Sequence, residues 1–193
     1  RLAFAYFVAA SAIMLSNFLA DWAVIISGYS VESARGFTVL KLAEDTIIVA
    51  TVVGFVLLIR DDPKELFLTR GRLWPGLCIG LAVFLVLTAF SYYSAMSKIE
   101  DPGMGRKVFL ACGLMSLADG FMEELLFRGL FLKRLARYIG DDWANFVTAL
   151  VFAFAHQIFL ETPMFMLNAF VFGLILGWVM QKTGSLWASA LLH

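Results

Sequence analysis

Long apolar runs alternate with short charged segments along the chain, and this pattern predicts a series of membrane-spanning helices. A bilayer core of about 30 Å needs about 20 apolar residues for each helix that crosses it. Helices are favoured because they satisfy their own backbone hydrogen bonds in lipid, and because no run shows the sustained alternation of a barrel strand. The predicted spans are residues 2–26, 41–60, 73–95, 108–138, 143–159, 163–180 and a seventh from residue 186 onward.

The predicted fold class is all-α: a polytopic transmembrane helical bundle of about seven spans that contains an intramembrane polar cavity. Within the sixth span, Gly173 and Gly177 form a small-x-x-x-small pattern, which indicates close packing against a neighbouring helix. Charged or turn-forming segments separate the spans at residues 60–72, 97–107, 140–143 and 181–185.

The composition supports a membrane protein and argues against nucleic-acid binding. Hydrophobic residues make up 61% of the chain and charged residues 16%, whereas soluble domains contain about 45–50% and about 25%. The formal net charge is zero, so there is no electrostatic basis for a nucleic-acid partner. Cys78 and Cys112 lie singly in apolar runs without the spacing of metal ligands.

Four ionisable residues fall within one predicted span, in the stretch DGFMEELLFRGLF at residues 119–131. Each costs roughly 2.5–3.5 kcal/mol in a bilayer, so a functional reason is expected. Glu124 and Arg128 are four residues apart and share a helix face, which predicts an ion pair. Glu123 points about 100° away from Glu124. With no cation within a turn, Glu123 is a candidate general base.

Several further polar residues lie in predicted spans. The two histidines, His156 and His193, are both at membrane depth, and we expect them to form one polar site with Glu123 rather than separate interhelical hydrogen bonds. For Asp119, two interpretations stay open: it tunes Glu123, or it faces a polar seam of its helix. The acidic residues at 44 and 45 are interpreted as a polar helix end at the membrane interface, the alternative being the lining of a cavity.

Three motifs together resemble a known family. They are E-E-x-x-x-R at residues 123–128, F-x-x-x-H at 152–156, and TGSLWASALLH at 183–193. Their order and spacing are similar to those of the CPBP family, the CAAX prenyl protease, Abi and bacteriocin-processing group of intramembrane endopeptidases. The resemblance covers about residues 110–193. It therefore divides the chain into N-terminal transmembrane helices at 1–107 and catalytic helices at 108–193.

The resemblance implies a role for each motif residue. Glu123 would activate the hydrolytic water, and Arg128 would hold the acidic motif in place through Glu124 or a neighbouring group. His156 would orient the water, and His193 would help to stabilise the oxyanion. The family usually has an Asn or Asp four residues after the last histidine, a position beyond the end of this sequence, which is interpreted as C-terminally truncated.

The function expected from the residues and the resemblance is an intramembrane endopeptidase of the glutamic type. Its partners would be the lipid bilayer and a membrane-presented peptide or protein tail: a prenylated CAAX tail, a bacteriocin leader or a sorting tail. The oligomeric state is left open. The expected location is an integral, multi-pass position in the cell membrane of a bacterium or the endoplasmic reticulum membrane of a eukaryote.

Three alternatives stay open beside this function. No cofactor is expected, but two histidines and a glutamate are also a catalytic zinc set, although H-E-x-x-H is missing. A non-catalytic immunity or scaffolding protein would share the fold. A proton-coupled transporter would be expected to show inverted repeats, and the two halves of the chain show no convincing internal similarity.

Overall fold

The computed structural model describes residues 2–72, 102–156 and 163–193, together with positions 74, 78, 80–82, 85–86, 89 and 92–93; at 102–112 and 163 it describes the backbone alone. These residues contain helices and no strands, so the all-α prediction is confirmed. The α-helices are α1 (Leu2–Ser27), α2 (Ala34–Leu58), α3 (Pro102–Glu123), α4 (Leu132–Ile139), α5 (Asp141–Ala155), α6 (Pro163–Thr183) and α7 (Leu186–Leu192). A 3₁₀ turn occupies Pro63–Leu66, and a π-helical segment occupies Glu124–Gly129.

Helix α2 begins seven residues before the predicted start of the second span. Ser33 is its N-cap, and the Ser33 hydroxyl accepts a hydrogen bond from the Gly36 backbone N–H at 3.0 Å. Because of this cap, Arg35 and Lys41 belong to the helix rather than to the loop before it. Residues 44 and 45 therefore lie about three turns into α2. The interpretation of these two acids as a polar helix end is wrong, because they are far from the start of the helix.

The single long helix predicted at residues 108–138 is also wrong. The backbone is helical from Pro102, becomes π-helical at Glu124, and turns at residues 130–131 before α4 begins. The Leu130 N–H bonds the Leu125 carbonyl five residues back at 3.0 Å, which is the π-helical pattern. Arg134 of α4 donates to the carbonyl of Leu130 at 2.9 Å and thereby satisfies backbone that the turn would leave free.

Two of the described helices are long and apolar enough to cross a bilayer: Leu2–Ser27 and Met164–Thr183. Helix α5, with 15 residues, is shorter than the roughly 20 residues that a perpendicular span needs. Most of the third predicted span, residues 73–95, lies outside the described residues, although its described positions are helical. The prediction of about seven spans therefore stays a prediction.

Helices α1 and α2 pack through a stripe of small residues. Every third or fourth position of α1 is buried, and the apolar partners on α2 are Ile48, Val52 and Val56. Small side chains let two helices approach closely where lipid supplies no hydrophobic driving force. The opposite face of α1 is exposed and apolar, as expected for contact with lipid. The buried stripe comprises Ala5, Val8, Ala9, Ala12, Ser16, Ala20 and Val24.

The predicted close approach at Gly173 and Gly177 is confirmed. A Cβ atom at Gly173 would lie 3.1 Å from Cα of Ala149 on α5, and one at Gly177 would lie 1.9 Å from Oδ1 of Asn145. The Asn145 amide donates to the Leu174 carbonyl at 3.0 Å, so it also links α5 to α6. This packing fixes α6 against the N-terminal and middle turns of α5.

We expect Gly177→Ala to destabilise the protein by about 1–3 kcal/mol, the usual cost of overpacking. The new methyl group would displace the Asn145 side chain and break its hydrogen bond to Leu174. Gly113→Ala is the matched control, because a Cβ there would meet nothing within 4 Å. Equal unfolding midpoints for the two variants in detergent micelles would contradict the packing described here.

Candidate active site

The structure brings all five sequence-predicted site residues together, from four different parts of the chain. Glu123 ends α3, Glu124 and Arg128 lie in the π-helical segment, His156 caps the C-terminus of α5, and His193 follows α7. Contacts between side chains connect all five. The apolar stretches between them therefore serve to place polar groups from distant parts of the sequence at one point.

Glu124 is the centre of this arrangement. Its Oε1 atom accepts from Nη1 of Arg128 at 2.6 Å and lies 3.2 Å from Nδ1 of His193, while Oε2 accepts from the Ser189 hydroxyl. Glu124, Arg128 and Ser189 are all fully buried. The predicted ion pair between Glu124 and Arg128 is therefore confirmed, and it lies in a protein interior where only a well-bonded pair is tolerated.

Arg128 extends the site to α5 and α6. Its Nη2 atom donates to the Gly173 carbonyl at 3.4 Å, which the absence of a side chain at Gly173 permits. Its guanidinium carbon lies 4.2 Å from the centre of the Phe152 ring, in a cation–π arrangement. One arginine thus contacts the acidic motif, the F-x-x-x-H helix and the helix after it.

Glu123 has different surroundings from its neighbour. Its Oε1 atom lies 3.4 Å from Nε2 of His156, and its Oε2 atom lies 3.3 Å from Nε2 of His193. Among the described residues, no Lys or Arg side chain is within ion-pair distance of Glu123. Its side chain is 14% exposed, whereas that of Glu124 is fully enclosed. Glu123 is therefore the carboxylate that another molecule can reach.

Hydrogen-bond partners decide which ring nitrogen of each histidine carries a proton. Nδ1 of His156 lies 2.8 Å from the Phe152 carbonyl, which can only accept, so Nδ1 is the donor. Nδ1 of His193 faces the Arg128-paired carboxylate of Glu124, which also only accepts. Both imidazoles are thereby oriented with Nε2 towards Glu123. A buried carboxylate behind a histidine fixes its tautomer in this way in many catalytic sites.

Three residues at the site were given no role by the sequence interpretation, although Phe152 is the first residue of the F-x-x-x-H motif. Phe152 is buried and contacts both imidazoles, with ring centres 4.3 Å from His156 and 5.6 Å from His193. Ser189 bonds Glu124, and its position four residues before His193 was the available signal, because both then share one face of α7. Gly120 on α3 admits α7, since a Cβ there would lie 3.2 Å from Cβ of His193.

A second charged cluster lies one helical turn from the site. Lys41 of α2 contacts Asp119 at 3.3 Å, Glu44 at 3.4 Å and Asp45 at 3.9 Å. Among the described residues, no hydrogen bond or ion pair joins Asp119 to Glu123, so Asp119 belongs to the seam between α2 and α3. Asp45 is buried and lines a pocket, which is the cavity alternative considered for it.

The segment that carries this site matches a known protein family. Residues 105–193 match the model of a family described as type II CAAX prenyl endopeptidase Rce1-like. This segment belongs to the CAAX prenyl protease family. The match includes all five site residues and confirms the resemblance seen in the sequence motifs. No curated protein and no solved structure matches the chain significantly.

The family match indicates the broad character of the segment that carries the site. The family is one of membrane-embedded helical proteases, and the two apolar helices α1 and α6 fit this location. The described residues include no group of three or more His, Cys, Asp or Glu side chains arranged to hold a metal ion. The division of the chain at residues 107 and 108 stays a prediction.

We expect Arg128→Met to lower the free energy of unfolding by about 3–5 kcal/mol, because it leaves the buried Glu124 carboxylate without its cation. The double variant Glu124→Gln, Arg128→Met should recover part of that loss. Arg137→Met is the control, since its ion pair with Glu65 is on the surface and contributes little. Unfolding in mixed micelles measures all three. A single variant as stable as the control would contradict a paired, buried arginine.

We expect Ser189→Ala to change the environment of His193, because Glu124 loses the donor to its Oε2 atom. The ring nitrogen resonances of His193 should shift in ¹⁵N spectra of histidine-labelled protein, and those of His156 should move less. Ser185→Ala is the matched control: this serine is equally buried, but its hydroxyl donates to the Thr69 carbonyl outside the site. If both variants leave His193 unchanged, Ser189 does not position Glu124.

Proposed function

We propose that this protein is a glutamic-type intramembrane endopeptidase, in which Glu123 activates water for the hydrolysis of a peptide bond. The observation that carries the proposal is the position of the Glu123 carboxylate between Nε2 of His156 and Nε2 of His193. A general base needs a carboxylate that is accessible and not neutralised by a permanent cation. Glu123 meets both requirements, and Glu124 meets neither.

The proposed reaction divides the work among three side chains. Glu123 takes a proton from a water molecule as the water oxygen attacks the peptide carbonyl carbon. His156, whose Nδ1 is held by the Phe152 carbonyl, accepts from the same water through Nε2 and orients it. Glu123 then gives the proton to the leaving amine as the carbon–nitrogen bond breaks. Glu123 thus acts first as the general base and then as the general acid, and it returns to its starting protonation state.

His193 is proposed to stabilise the oxyanion that forms during the attack. Since Nδ1 already carries the proton that Glu124 accepts, the oxyanion donor in this proposal is the Nε2–H of the doubly protonated ring. Its ring is fixed by Glu124, which is fixed in turn by Arg128 and Ser189. Donors that are held in place before the reaction lower the barrier more than mobile ones, because no reorganisation is needed. In this proposal Glu124 and Arg128 position His193 and do not contact the substrate.

The proposed substrate is a peptide or protein tail presented at the membrane. A CAAX-type prenylated tail follows from the family match, and a bacteriocin leader or sorting tail from the wider resemblance. We further propose a multi-pass protein with about seven spans and a polar cavity at the site, with residues 1–107 as supporting transmembrane helices and 108–193 as the catalytic part. No nucleic-acid partner is proposed.

We expect Glu123→Gln to lower kcat by at least about 100-fold, since general base catalysis contributes about 10²–10⁴-fold. His193→Ala should lower kcat by a similar factor through loss of the oxyanion donor. Glu32→Gln, in an exposed loop, is the matched control. Cleavage of a farnesylated CAAX peptide by the purified protein in liposomes is the measurement. Cleavage by Glu123→Gln at the wild-type rate would refute the mechanism.

A zinc-dependent variant of the protease is the competing mechanism, because a glutamate and two histidines converge at the site. The glutamic mechanism predicts that a chelator leaves the cleavage rate unchanged. Loss of cleavage after chelation that added zinc restores would decide for the metal mechanism. In that case Glu123 and the two histidines would be ligands.

A further inference from the structure

The cluster around Lys41 has more acid than its single cation can satisfy. Three carboxylates, those of Glu44, Asp45 and Asp119, lie within 4 Å of the one Lys41 ammonium. Among the described residues, no other Lys or Arg side chain pairs with any of them. A partly buried set with surplus negative charge requires a further positive group or proton to be stable.

Asp45 is the member whose surroundings point to a ligand. The residue is only 4% exposed, and its carboxylate oxygens accept no hydrogen bond from a described N–H or O–H donor. The carboxyl group of Asp119 is the described side chain that faces it within hydrogen-bond reach. Buried carboxylates are normally hydrogen-bonded, so one that accepts from no N–H or O–H group indicates a missing donor. The Oδ1 atom of Asp45 is 3.9 Å from Nζ of Lys41, too far for a hydrogen bond.

Asp45 borders two adjoining spaces between α2 and α3. The first, of about 240 Å³, is also lined by Lys41, Asp119 and Ser116, with Phe37 and Met115 as apolar walls. The second, of about 530 Å³, is an open and mainly apolar groove that continues from Asp45 along α2 towards Leu57. A long side chain with an apolar stem and a positively charged end fits these spaces, because the stem can contact the apolar lining and the charge can approach the carboxylates.

We propose that the space lined by Asp45 and Asp119 binds a basic side chain, lysine or arginine, of the peptide substrate. The inference rests on the proposed endopeptidase function and adds a specificity pocket to it. The ammonium or guanidinium of the substrate supplies the donors that Asp45 lacks, and the apolar walls contact its stem. A metal ion fits less well, because the three carboxylates around Lys41 are not arranged to converge on one ion.

The position of the pocket gives the place of the basic residue in the substrate. Asp119 precedes Glu123 by four residues of α3, which is about 6 Å along the helix axis. An extended peptide advances about 3.3 Å per residue. A peptide lying along α3 therefore places a side chain about two residues from the cleaved bond opposite Asp119.

A series of farnesylated dodecapeptides in phosphatidylcholine vesicles tests the pocket. Lysine, norleucine or glutamate is placed at each of the three positions after the cleaved bond and at the second and third positions before it, because the farnesylated cysteine occupies the first. At one position, the wild type should prefer lysine over norleucine by about tenfold in kcat/KM, and Asp45→Asn should reduce this preference to about twofold or less. Asp21→Asn, an exposed position on α1, should leave the preference intact.

A second variant guards against misfolding of Asp45→Asn. Ser116→Lys places an ammonium in the pocket without altering an acid, and it should abolish the preference for lysine while the norleucine peptide is still cleaved. Equal cleavage of lysine and norleucine peptides by the wild type at every position would overturn the pocket. It would mean that Asp45 and Asp119 share a proton instead.

Binding measured without cleavage separates this proposal from the proposed function. Fluorescein-labelled versions of the same peptides are titrated against wild-type protein and Glu123→Gln. Tighter binding of the lysine peptide that Asp45→Asn removes would support the pocket, even if the wild type cleaved no peptide. Cleavage without any such preference would retain the peptidase and reject the pocket. Absence of both cleavage and preference would reject both.

Discussion

The buried ion pair between Glu124 and Arg128 is the interaction on which the rest of the site depends. Neither side chain is exposed, so each charge is tolerated only because the other lies 2.6 Å away and further polar groups bond both Glu124 oxygens and Nη2 of Arg128. Those polar groups come from other helices. Ser189 of α7 and His193, which follows α7, bond Glu124, and the Gly173 carbonyl of α6 accepts from Arg128. The need to satisfy two charges in an apolar interior therefore brings these helices together. The same contacts orient the imidazole of His193.

The π-helical segment explains how adjacent glutamates serve opposite purposes. Glu123 is the last residue of α3, and Glu124 is the first of the π-helical turn, where the wider backbone changes the direction of the following side chains. Glu124 and Arg128 are thereby directed into the interior, and Glu123 faces the two histidines. Arg134 makes the segment tolerable, because it bonds the Leu130 carbonyl and pairs with Asp61 at 2.8 Å. Arg134 thus stabilises the backbone next to the π-helical segment that carries Arg128.

Spacing in the sequence was enough to predict the contacts within one helix, but not those that the fold creates. Residues four apart gave the Glu124–Arg128 pair, and small residues four apart gave the close approach of α6, because both depend only on helix periodicity. The π-helical turn has no such signal, so residues 108–138 were predicted as one helix. The contact of Lys41 with Asp119 joins residues 78 positions apart, and only packing of α2 against α3 creates it. The number of spans was predicted from apolar length, which does not distinguish a crossing helix from a shorter one such as α5.

Two clusters of acidic residues lie along α3, one paired with Arg128 and the other with Lys41. The type of cation decides whether an acid in the cluster is fully paired or stays available to a ligand. Arginine has a planar fork that satisfies several acceptors at once, and Arg128 uses it to leave Glu124 with no capacity for another ligand. Lysine is a compact point charge on a flexible stem. Lys41 approaches three carboxylates without hydrogen-bonding Asp45, so that acid stays available next to an open space. An arginine at residue 41 would be expected to hydrogen-bond several of these carboxylates at once, as Arg128 does with its acceptors, and to leave none available. The lysine therefore leaves Asp45 of α2 available to a ligand, beside the turn of α3 that precedes Glu123.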